Sequence, residues 1–410
     1  MIYATTFAFF ILCVVLLWIG IPRRISEPWK FLARGRQMLI QRAREHNGKP
    51  FSILIPGNRL HLVSSKAHWE DLNNTSLNHL SSHVWSKEHF QPKYTFGYEW
   101  PDRRQDDGMP VIRAIRTLSN QFSGLRERYV SLMESDLNDA LKIYIQPNGI
   151  SVIPLWETVK RLGSRMNIMM LFGQHIANDS EFVDRGLKYI DEVTLVSEAA
   201  KSFPLFLMPL MSRIIRGRNL NAQYVREIAT HLILDIFTHP EYLPALREEV
   251  KDVLGNPASD INKLPLLENF LIESIRFHCF LSTVVHRVPL KSFSFSDGYT
   301  VPKGEIVEFY QYSVMNDETI HSNPNEFNPK RFEGKARKAT DISMEWPFWG
   351  NSKMACPGRF HVCNVAKLIA IYFITNFDCD VTNSHNPSFE FRDVSVPHPK
   401  WELIMRRRTM

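Results

Sequence analysis

The amino-acid sequence predicts a mainly α-helical protein with a small β region. Apolar residues recur at helical spacing from about residue 67 to residue 255, as in "WETVKRLGSRMNIMMLF" from 156 to 172. Patterns typical of strands are confined to two short regions, residues 51–63 and 284–314. Residues 315–355 are rich in Asn, Pro and Lys, which is typical of irregular structure.

Composition and charge exclude several classes of protein. Of the 410 residues, 44% are hydrophobic and 22% charged, as in ordinary globular proteins. A net charge of +6 without a run of five basic residues gives no sign of a nucleic-acid-binding tail, so we expect no nucleic-acid partner. Five cysteines, an odd number without a C-x-x-C pair, favour a reducing compartment over a disulfide framework.

The amino terminus predicts a membrane anchor. Residues 2–21 carry no charge, and about 20 such residues cross a hydrocarbon core of about 30 Å as a helix. No basic residue precedes this run and no small-residue cleavage site follows it, which favours an uncleaved anchor over a signal peptide. Basic residues follow directly, so the positive-inside rule places the rest of the chain in the cytosol. We therefore predict a single-pass anchor over residues 1–21.

The remaining elements follow in order along the chain. Two prolines among basic residues after the anchor predict a linker and a first amphipathic helix over residues 22–45. A globular unit then covers residues 46–410. Its predicted elements are a hairpin ("FSILI", 51–55, and "RLHLV", 59–63, around Pro56-Gly57-Asn58), the long helical part, strands with a turn at Ser296-Asp297-Gly298, and a last long helix after Cys356.

The candidate functional residue is Cys356, in "WPFWGNSKMACPGRFHVC", residues 346–363. If Cys356 caps the last helix, Pro357 falls at the first helical position, which suits its fixed φ. Apolar residues then recur every three or four positions, which predicts a helix with one apolar face. A thiol at a helix N-terminus meets unpaired N–H groups and the positive end of the helix dipole, and both favour the thiolate.

From the residues alone, four roles for this thiol remain open. A zinc site needs about three further ligands, and the local companions, His361 and Cys363, lie at unusual spacings. A nucleophile needs a histidine and an orienting Asn or Asp that the sequence does not place. Haem iron needs only this ligand and a large apolar pocket, which 27 Phe and 9 Trp could line, and Gly358 leaves room for a flat ligand. The fourth role is that of a buried, inert cysteine.

The cysteine loop resembles that of the cytochrome P450 haem-thiolate monooxygenases. The family pattern is aromatic, Gly, any, Gly, any, basic, any, Cys, apolar or Pro, Gly. Here the loop reads Trp349, Gly350, Asn351, Ser352, Lys353, Met354, Ala355, Cys356, Pro357, Gly358. The resemblance implies that Cys356 is the axial thiolate and that Gly350 and Gly358 help to bind the cofactor. Ser352 replaces a glycine, and Met354 replaces the Arg or His that contacts a haem propionate.

Two further motifs lie in the order typical of the family. Glu273 and Arg276, in "FLIESIRFH", look like its Glu-x-x-Arg pair on a buried helix, and Arg331, in "FNPKRF", resembles the third partner of that pair. Arg287 lies where the family often places a cation on a haem propionate, with an ordinary solvated arginine as the alternative. The stretch "HPEYLPALREEV", residues 239–250, resembles filamentous-fungal members that oxidise terpenoids and other secondary metabolites.

One part of the family pattern is missing. The family has a long central helix whose acid or amide and threonine relay protons to dioxygen, whereas by Leu232 this chain already resembles the end of that helix. Thr230 lies about two turns from the expected position, a displacement on the order of 10 Å, so we expect an ordinary helix residue there. We predict an internal deletion near residues 219–232 in a cytochrome P450 fold.

The resemblance implies an enzyme that inserts one atom of dioxygen into a C–H bond of a lipophilic small molecule, such as a fungal terpenoid. It implies haem b (iron protoporphyrin IX) as cofactor, electrons from NADPH through a cytochrome P450 reductase, and an endoplasmic reticulum location. A catalytically impaired, membrane-tethered haem-binding remnant is the alternative. Basic residues around the cysteine could attract an acidic partner, unless they are merely solvated: Lys330, Arg331, Lys335, Arg337, Lys338 and Lys353.

Overall fold

The computed structural model describes most of the globular part of the chain. The described ranges are 23–95, 110–202, 227–256, 259–382 and 388–408. The predicted anchor and residues 219–226 of the predicted deletion lie outside them. Within these ranges, no helix is both long and apolar enough to cross a membrane.

Helices predominate and the strands are short, which confirms the predicted fold class. The helices are α1 Arg23–His46, α2 Lys66–Asn74, α3 Ser82–Phe90, α4 Pro92–Thr95, α5 Pro110–Ser119, α6 Phe122–Ile143, α7 Leu155–Phe172, α8 Gln174–Ala177, α9 Ser180–Ser202, α10 Glu227–Thr238, α11 Leu243–Val250, α12 Pro265–His278, α13 Gln311–Met315 and α14 Arg359–Asn376. The strands are β1 Phe51–Ile55, β2 Asn58–Val63, β3 Leu80–Ser81, β4 Ser151–Pro154, β5 Val284–Pro289, β6 Phe293–Ser294, β7 Thr300–Val301, β8 Ile306–Phe309, β9 Phe377–Thr382, β10 Ser388–Phe391, β11 Val394–Pro397 and β12 Glu402–Arg407. Two 3-10 helices span Pro240–Tyr242 and Pro329–Phe332.

The first sheet has five strands in the order β1-β2-β8-β5-β3, with β2 and β8 parallel and the other pairs antiparallel. The predicted hairpin is confirmed. Ile55 pairs with Asn58, so the turn is Pro56-Gly57 and Asn58 already belongs to the strand. Gly57 adopts a φ of 79°, which a residue with a side chain rarely does. Strands β5 and β8 shift register between Val284 and Arg287.

Three small sheets complete the β region: β4-β12-β9, β10-β11 and β6-β7. The predicted turn at Ser296-Asp297-Gly298 joins β6 to β7, and residues 315–355 are irregular around the 3-10 helix Pro329–Phe332. The range predicted as a linker and first amphipathic helix is occupied by α1, which runs from Arg23 to His46 and bends at Arg34. Its Arg36 donates to the carbonyl oxygens of His278 and Cys279 at the end of α12, at 3.1 and 2.8 Å.

Helix α14 lies in the main hydrophobic core, in contact with α6, α10, α11 and α12. Its first residue is Arg359 and its N-cap is Gly358, so the prediction that Cys356 caps the helix is wrong by two residues. The prediction of one apolar face is also wrong. The helix is buried on most sides because other helices surround it, while Phe360, expected on the apolar face, is 47% exposed.

Two phenylalanines on α14 test how its burial contributes to stability. Phe373 is 1% exposed in the core, so replacing it by alanine leaves a cavity, and we expect Phe373→Ala to lower the free energy of unfolding by about 3–5 kcal/mol. Phe360→Ala removes the same atoms from an exposed position, and we expect a loss below about 1 kcal/mol. Urea denaturation followed by circular dichroism measures both. Equal losses would contradict this assignment of the core.

Candidate functional site

Helix α12 carries a buried ion pair that a third residue completes. Nε and Nη2 of Arg276 donate to the two carboxylate oxygens of Glu273, each at 2.8 Å. Nε of Arg331 lies 3.0 Å from Oε2 of Glu273, and the backbone N–H of Asn328 donates to Oε1 at 2.9 Å. The structure thus brings the three predicted residues Glu273, Arg276 and Arg331 together, with all three buried.

The remaining N–H groups of the two arginines bind backbone carbonyl oxygens of the irregular segment. Arg276 donates to Met315 and Pro324, at 3.1 and 2.9 Å, and Arg331 donates to Ser322 and Glu326. Two buried cations around one carboxylate are tolerable only when such further hydrogen bonds satisfy them. The network therefore fixes the segment that precedes the cysteine loop against α12.

A second set of bonds extends from α12 to the cysteine loop. Oε1 of Glu268 accepts the backbone N–H of Ala339 at 2.8 Å, and the carbonyl oxygen of Ala339 accepts the indole N–H groups of Trp346 and Trp349 at 3.2 and 2.6 Å. The carbonyl oxygen of Trp349 accepts the backbone N–H of Cys356 at 2.8 Å. The cysteine is thus connected to α12 through successive hydrogen bonds.

The loop itself depends on one glycine. Gly350 has a φ of +88°, and a Cβ there would lie 2.9 Å from the carbonyl oxygen of Met354, so both backbone strain and space require glycine. Ser352, which replaces the family's second glycine, does not have a positive φ and causes no such strain. Gly358 is open by comparison, since the nearest atom to its Cβ position is Cγ2 of Ile115, at 4.0 Å.

The sulfur of Cys356 meets the donors that its position before a helix predicts. Burial raises the pKa of the Cys356 thiol, while hydrogen bonds from the backbone N–H groups of Gly358 and Arg359, and the charge of Arg359, act in the opposite direction. These donors act in the predicted direction, but burial outweighs them, and the net effect in the chain alone is a raised pKa of the Cys356 thiol. A metal cation at the sulfur would supply the missing positive charge.

The predicted zinc alternative has no support in the described ranges. They contain no group of three or more His, Cys, Asp or Glu side chains that could hold a metal ion. His361 is buried, with Nε2 2.9 Å from Oδ1 of Asn167, and burial lowers its pKa to about 4. Burial raises the pKa of the Cys363 thiol. Both local companions of Cys356 are thus core residues.

Arg287 is buried, so the alternative of a solvated arginine is wrong. Its Nη1 donates to the carbonyl oxygen of His286 at 2.8 Å and its Nη2 donates to Oδ1 of Asn351 at 3.1 Å, while its Nε has no partner. Burial lowers its pKa to about 10, and no carboxylate of the described residues pairs with it. A buried guanidinium beside the cysteine loop without a counter-ion fits an anionic ligand group, such as a haem propionate. The residues present therefore fit a haem.

Sequence reasoning missed that helix α5 lies near the cysteine loop. Cγ2 of its Ile115 is 4.0 Å from the position that a Cβ on Gly358 would take, and the charge of Arg116 contributes to the lowered pKa of Arg359, whose largest cause is burial. The available signal was the pair Arg113 and Arg116 three positions apart, which in a single sequence is also typical of a solvated helix face.

The predicted basic cluster divides into two parts. Arg331 belongs to the buried ion-pair network and is not available to a partner, and Lys353 donates to the carbonyl oxygens of Asn74 and Thr75. A groove of about 740 Å³ is lined by Phe360 and Cys363 of α14 and by the other four basic residues, which are Lys330, Lys335, Arg337 and Lys338. This groove therefore lies beside the helix that follows Cys356.

A separate cavity of about 450 Å³ lies between α1, α3, the β1–β2 turn and β5. Its wall includes a stack of Trp85 on His286, with ring centroids 4.1 Å apart, and the carboxylate of Glu308, which lies 2.9 Å from Nδ1 of His286. Cys356 and Arg287 are not among the residues that line it.

The buried carboxylate predicts a large loss of stability on substitution. In Glu273→Gln the two guanidinium groups keep their buried charges without a counter-ion, and we expect the free energy of unfolding to fall by about 3–5 kcal/mol. Glu333→Gln removes an exposed carboxylate next to the same 3-10 helix and is expected to change it by less than about 0.5 kcal/mol. Chemical denaturation measures both variants, and similar values for the two would refute the role given to Glu273.

Comparisons with known proteins agree with this geometry. The family model described as cytochrome P450 matches residues 227–405. A cytochrome P450 monooxygenase of Penicillium ochrochloron, ptmQ, is 22% identical over 93% of this chain and 89% of its own length. The ent-kaurene oxidase of Fusarium fujikuroi is 28% identical over 44% of this chain and 38% of its own length.

The lengths of these alignments bear on the predicted deletion. The alignment with the Penicillium protein spans 461 positions, whereas 93% of this 410-residue chain is about 381 residues, so about 80 aligned positions have no counterpart here. The family match begins at residue 227, where α10 also begins.

The fold comparison covers most of the chain. The structure of cyanobacterial CYP120A1 with bound retinoic acid superposes with a TM-score of 0.68 over 93% of this chain and 96% of that one, at 13% identity. The helical fold, the cysteine loop with its ion-pair network, and the matches to fungal monooxygenases are thus all similar to the cytochrome P450 family, whose model matches residues 227–405.

Proposed function

We propose that this protein is a haem-thiolate monooxygenase in which Cys356 binds the iron of haem b. The observation that supports this most directly is the pairing of two features at one loop. The Cys356 sulfur accepts two backbone N–H groups, and the buried Arg287 beside the loop lacks a counter-ion. A bound haem would give the sulfur a metal cation and the guanidinium a carboxylate.

Each residue of the site has a separable role in this proposal. When bound, the haem supplies the activation of dioxygen that oxidises a C–H bond. The backbone N–H groups of Gly358 and Arg359 hold the sulfur and limit its basicity. Gly350 keeps the loop in its tight conformation, and Arg287 neutralises a propionate. Glu273, Arg276 and Arg331 do not contact the ligand but hold the segment that carries the loop.

The substrate we propose is a lipophilic small molecule, with fungal secondary metabolites such as terpenoids as the first candidates. Support comes from relatives named as fungal cytochrome P450 monooxygenases and from one named as an ent-kaurene oxidase. We also propose that residues 1–21 anchor the protein in the endoplasmic reticulum membrane with the catalytic part in the cytosol. The uncharged run and the basic residues after it support that topology.

Replacing Cys356 tests the haem assignment. The full-length protein with haem is expected to show a thiolate-type absorption band in its reduced carbon monoxide complex, and Cys356→Ser is expected to abolish that band because a hydroxyl cannot replace the thiolate. The matched control is Cys363→Ala, which removes a buried thiol seven positions further along the chain and should keep the band. An unchanged spectrum in Cys356→Ser would refute the proposal.

The basic groove beside α14 is the surface we propose for the electron-donating reductase, which receives its electrons from NADPH. Reversing two of its exposed charges, with Lys335→Glu and Lys338→Glu together, is expected to slow NADPH-dependent reduction by the reductase at least about threefold at low salt, because charges at the rim mainly set the association rate. The difference should shrink at high salt. Stopped-flow formation of the carbon monoxide complex measures the rate.

Two controls accompany the groove variant. Reduction of the groove variant by dithionite should be unchanged. Lys142→Glu, which reverses the charge of an exposed lysine on α6, should be reduced by the reductase at the wild-type rate. A wild-type rate in the groove variant would exclude this surface.

The second candidate function is a haem-binding remnant without turnover. It is favoured by the start of the family match at residue 227 and by the roughly 80 positions that the Penicillium relative has in addition. Thr230 lies in the buried stretch of α10, and its hydroxyl has no partner among the described residues. A thiolate-type band without NADPH consumption in the presence of reductase and terpenoid candidates would favour the remnant. Sequencing the transcript across codons 216–235 shows whether coding sequence was skipped.

A further inference from the structure

Two buried hydrogen-bond donors without acceptors lie next to each other at the cysteine loop. Arg287 on β5 and Asn351 in the loop are 2% and 0% exposed, and Nη2 of the arginine donates to Oδ1 of the asparagine at 3.1 Å. Nε of Arg287 and Nδ2 of Asn351 have no hydrogen-bond partner. Burying such a donor without an acceptor destabilises the protein, so two together call for an acceptor.

The orientation of the Asn351 amide is fixed by two donors. Its Oδ1 accepts from Nη2 of Arg287 and from the backbone N–H of Met354, at 3.1 and 3.2 Å. A flipped amide would place its NH₂ group against both donors. The NH₂ group must therefore face away from them, with its N–H bonds available to a further group.

The chemistry of the two orphaned donors identifies that group as a carboxylate. A guanidinium N–H and an amide N–H both donate, and a carboxylate has several lone pairs that accept both. Its negative charge would also balance Arg287, for which no carboxylate of the described residues serves. The family's usual cation in this loop is replaced by Met354, whose side chain can neither donate nor carry charge.

We propose that Asn351 and Arg287 together hold one haem propionate, with the Asn351 amide taking over the role of the cation missing at Met354. This inference rests on the proposed function, since it requires that the chain binds haem. It adds a cofactor-positioning residue at a loop position where the family pattern accepts any residue.

Haem retention tests the role of Asn351 without relying on activity. The full-length, haem-loaded protein is mixed with excess apomyoglobin, and the transfer of haem is followed by absorbance. Asn351→Leu is expected to release haem about 10-fold faster than wild type, because a hydrogen bond to a charged group contributes about 1.5–3 kcal/mol. Asn351→Asp should release it faster still, since its carboxylate would pair with Arg287 and repel the propionate. Met354→Arg in the Asn351→Leu background should restore slow release.

The matched control is Ser352→Ala, at the next and exposed loop position, where the hydroxyl donates to Oδ1 of Asn73. It should release haem at the wild-type rate. A second measurement begins with wild type alone: reconstitution with haem dimethyl ester, whose propionates are esterified. Wild type should lose the ester at least about 10-fold faster than haem, and in the folded Asn351→Leu variant this ratio should be smaller.

The outcomes separate this inference from the proposed function. A thiolate-type band in Asn351→Leu together with wild-type haem release would overturn the role of Asn351 alone. So would equal retention of haem and its dimethyl ester by wild type. A wild-type chain that takes up no haem would overturn both proposals.

Discussion

The buried carboxylate of Glu273 is the interaction on which the rest of the site depends. It is shared by Arg276 on its own helix and Arg331 from the irregular segment, and the two arginines donate most of their remaining N–H groups to backbone carbonyl oxygens of that segment. Ordering a long stretch without regular structure costs conformational entropy, which few of its own backbone hydrogen bonds offset. The hydrogen bonds from the ion-pair network on α12 to this segment offset that entropy cost.

This arrangement explains how a segment without regular structure can hold Cys356 in a fixed position. Successive hydrogen bonds connect Glu268 on α12 to Ala339, Ala339 to the two indoles, and Trp349 to Cys356. The cysteine therefore needs no helix of its own to hold it. It lies two residues before the N-cap of α14, near enough for two backbone N–H groups to reach its sulfur but outside the helix.

The electrostatics around the loop suit a ligand that carries charges of both signs. At Cys356, burial opposes ionisation more strongly than the neighbouring donors favour it, and at Arg287 burial opposes the cation. Each group is costly in the chain alone, and each would be stabilised by the opposite charge. A metal cation at the sulfur and a carboxylate at the guanidinium would satisfy both, which is why the two features together argue for haem more strongly than either does separately.

The sequence by itself determined the elements whose signals are local. The hairpin around Pro56-Gly57, the helical spacing of α7, the irregular stretch before the cysteine, and the i, i+3 pairing of Glu273 with Arg276 were all readable, because turn residues, periodicity and short motifs act between near neighbours. Only the tertiary structure decided which charges are buried. The sequence alone does not show that Arg287 and Arg331 are buried. Arg287 lies beside Asn351, 64 positions away, without a counter-ion, and Arg331 shares Glu273, 58 positions away. Burial also made α14 a core helix and raised the pKa of the Cys356 thiol, since it depends on what packs around a residue and not on its neighbours in the chain.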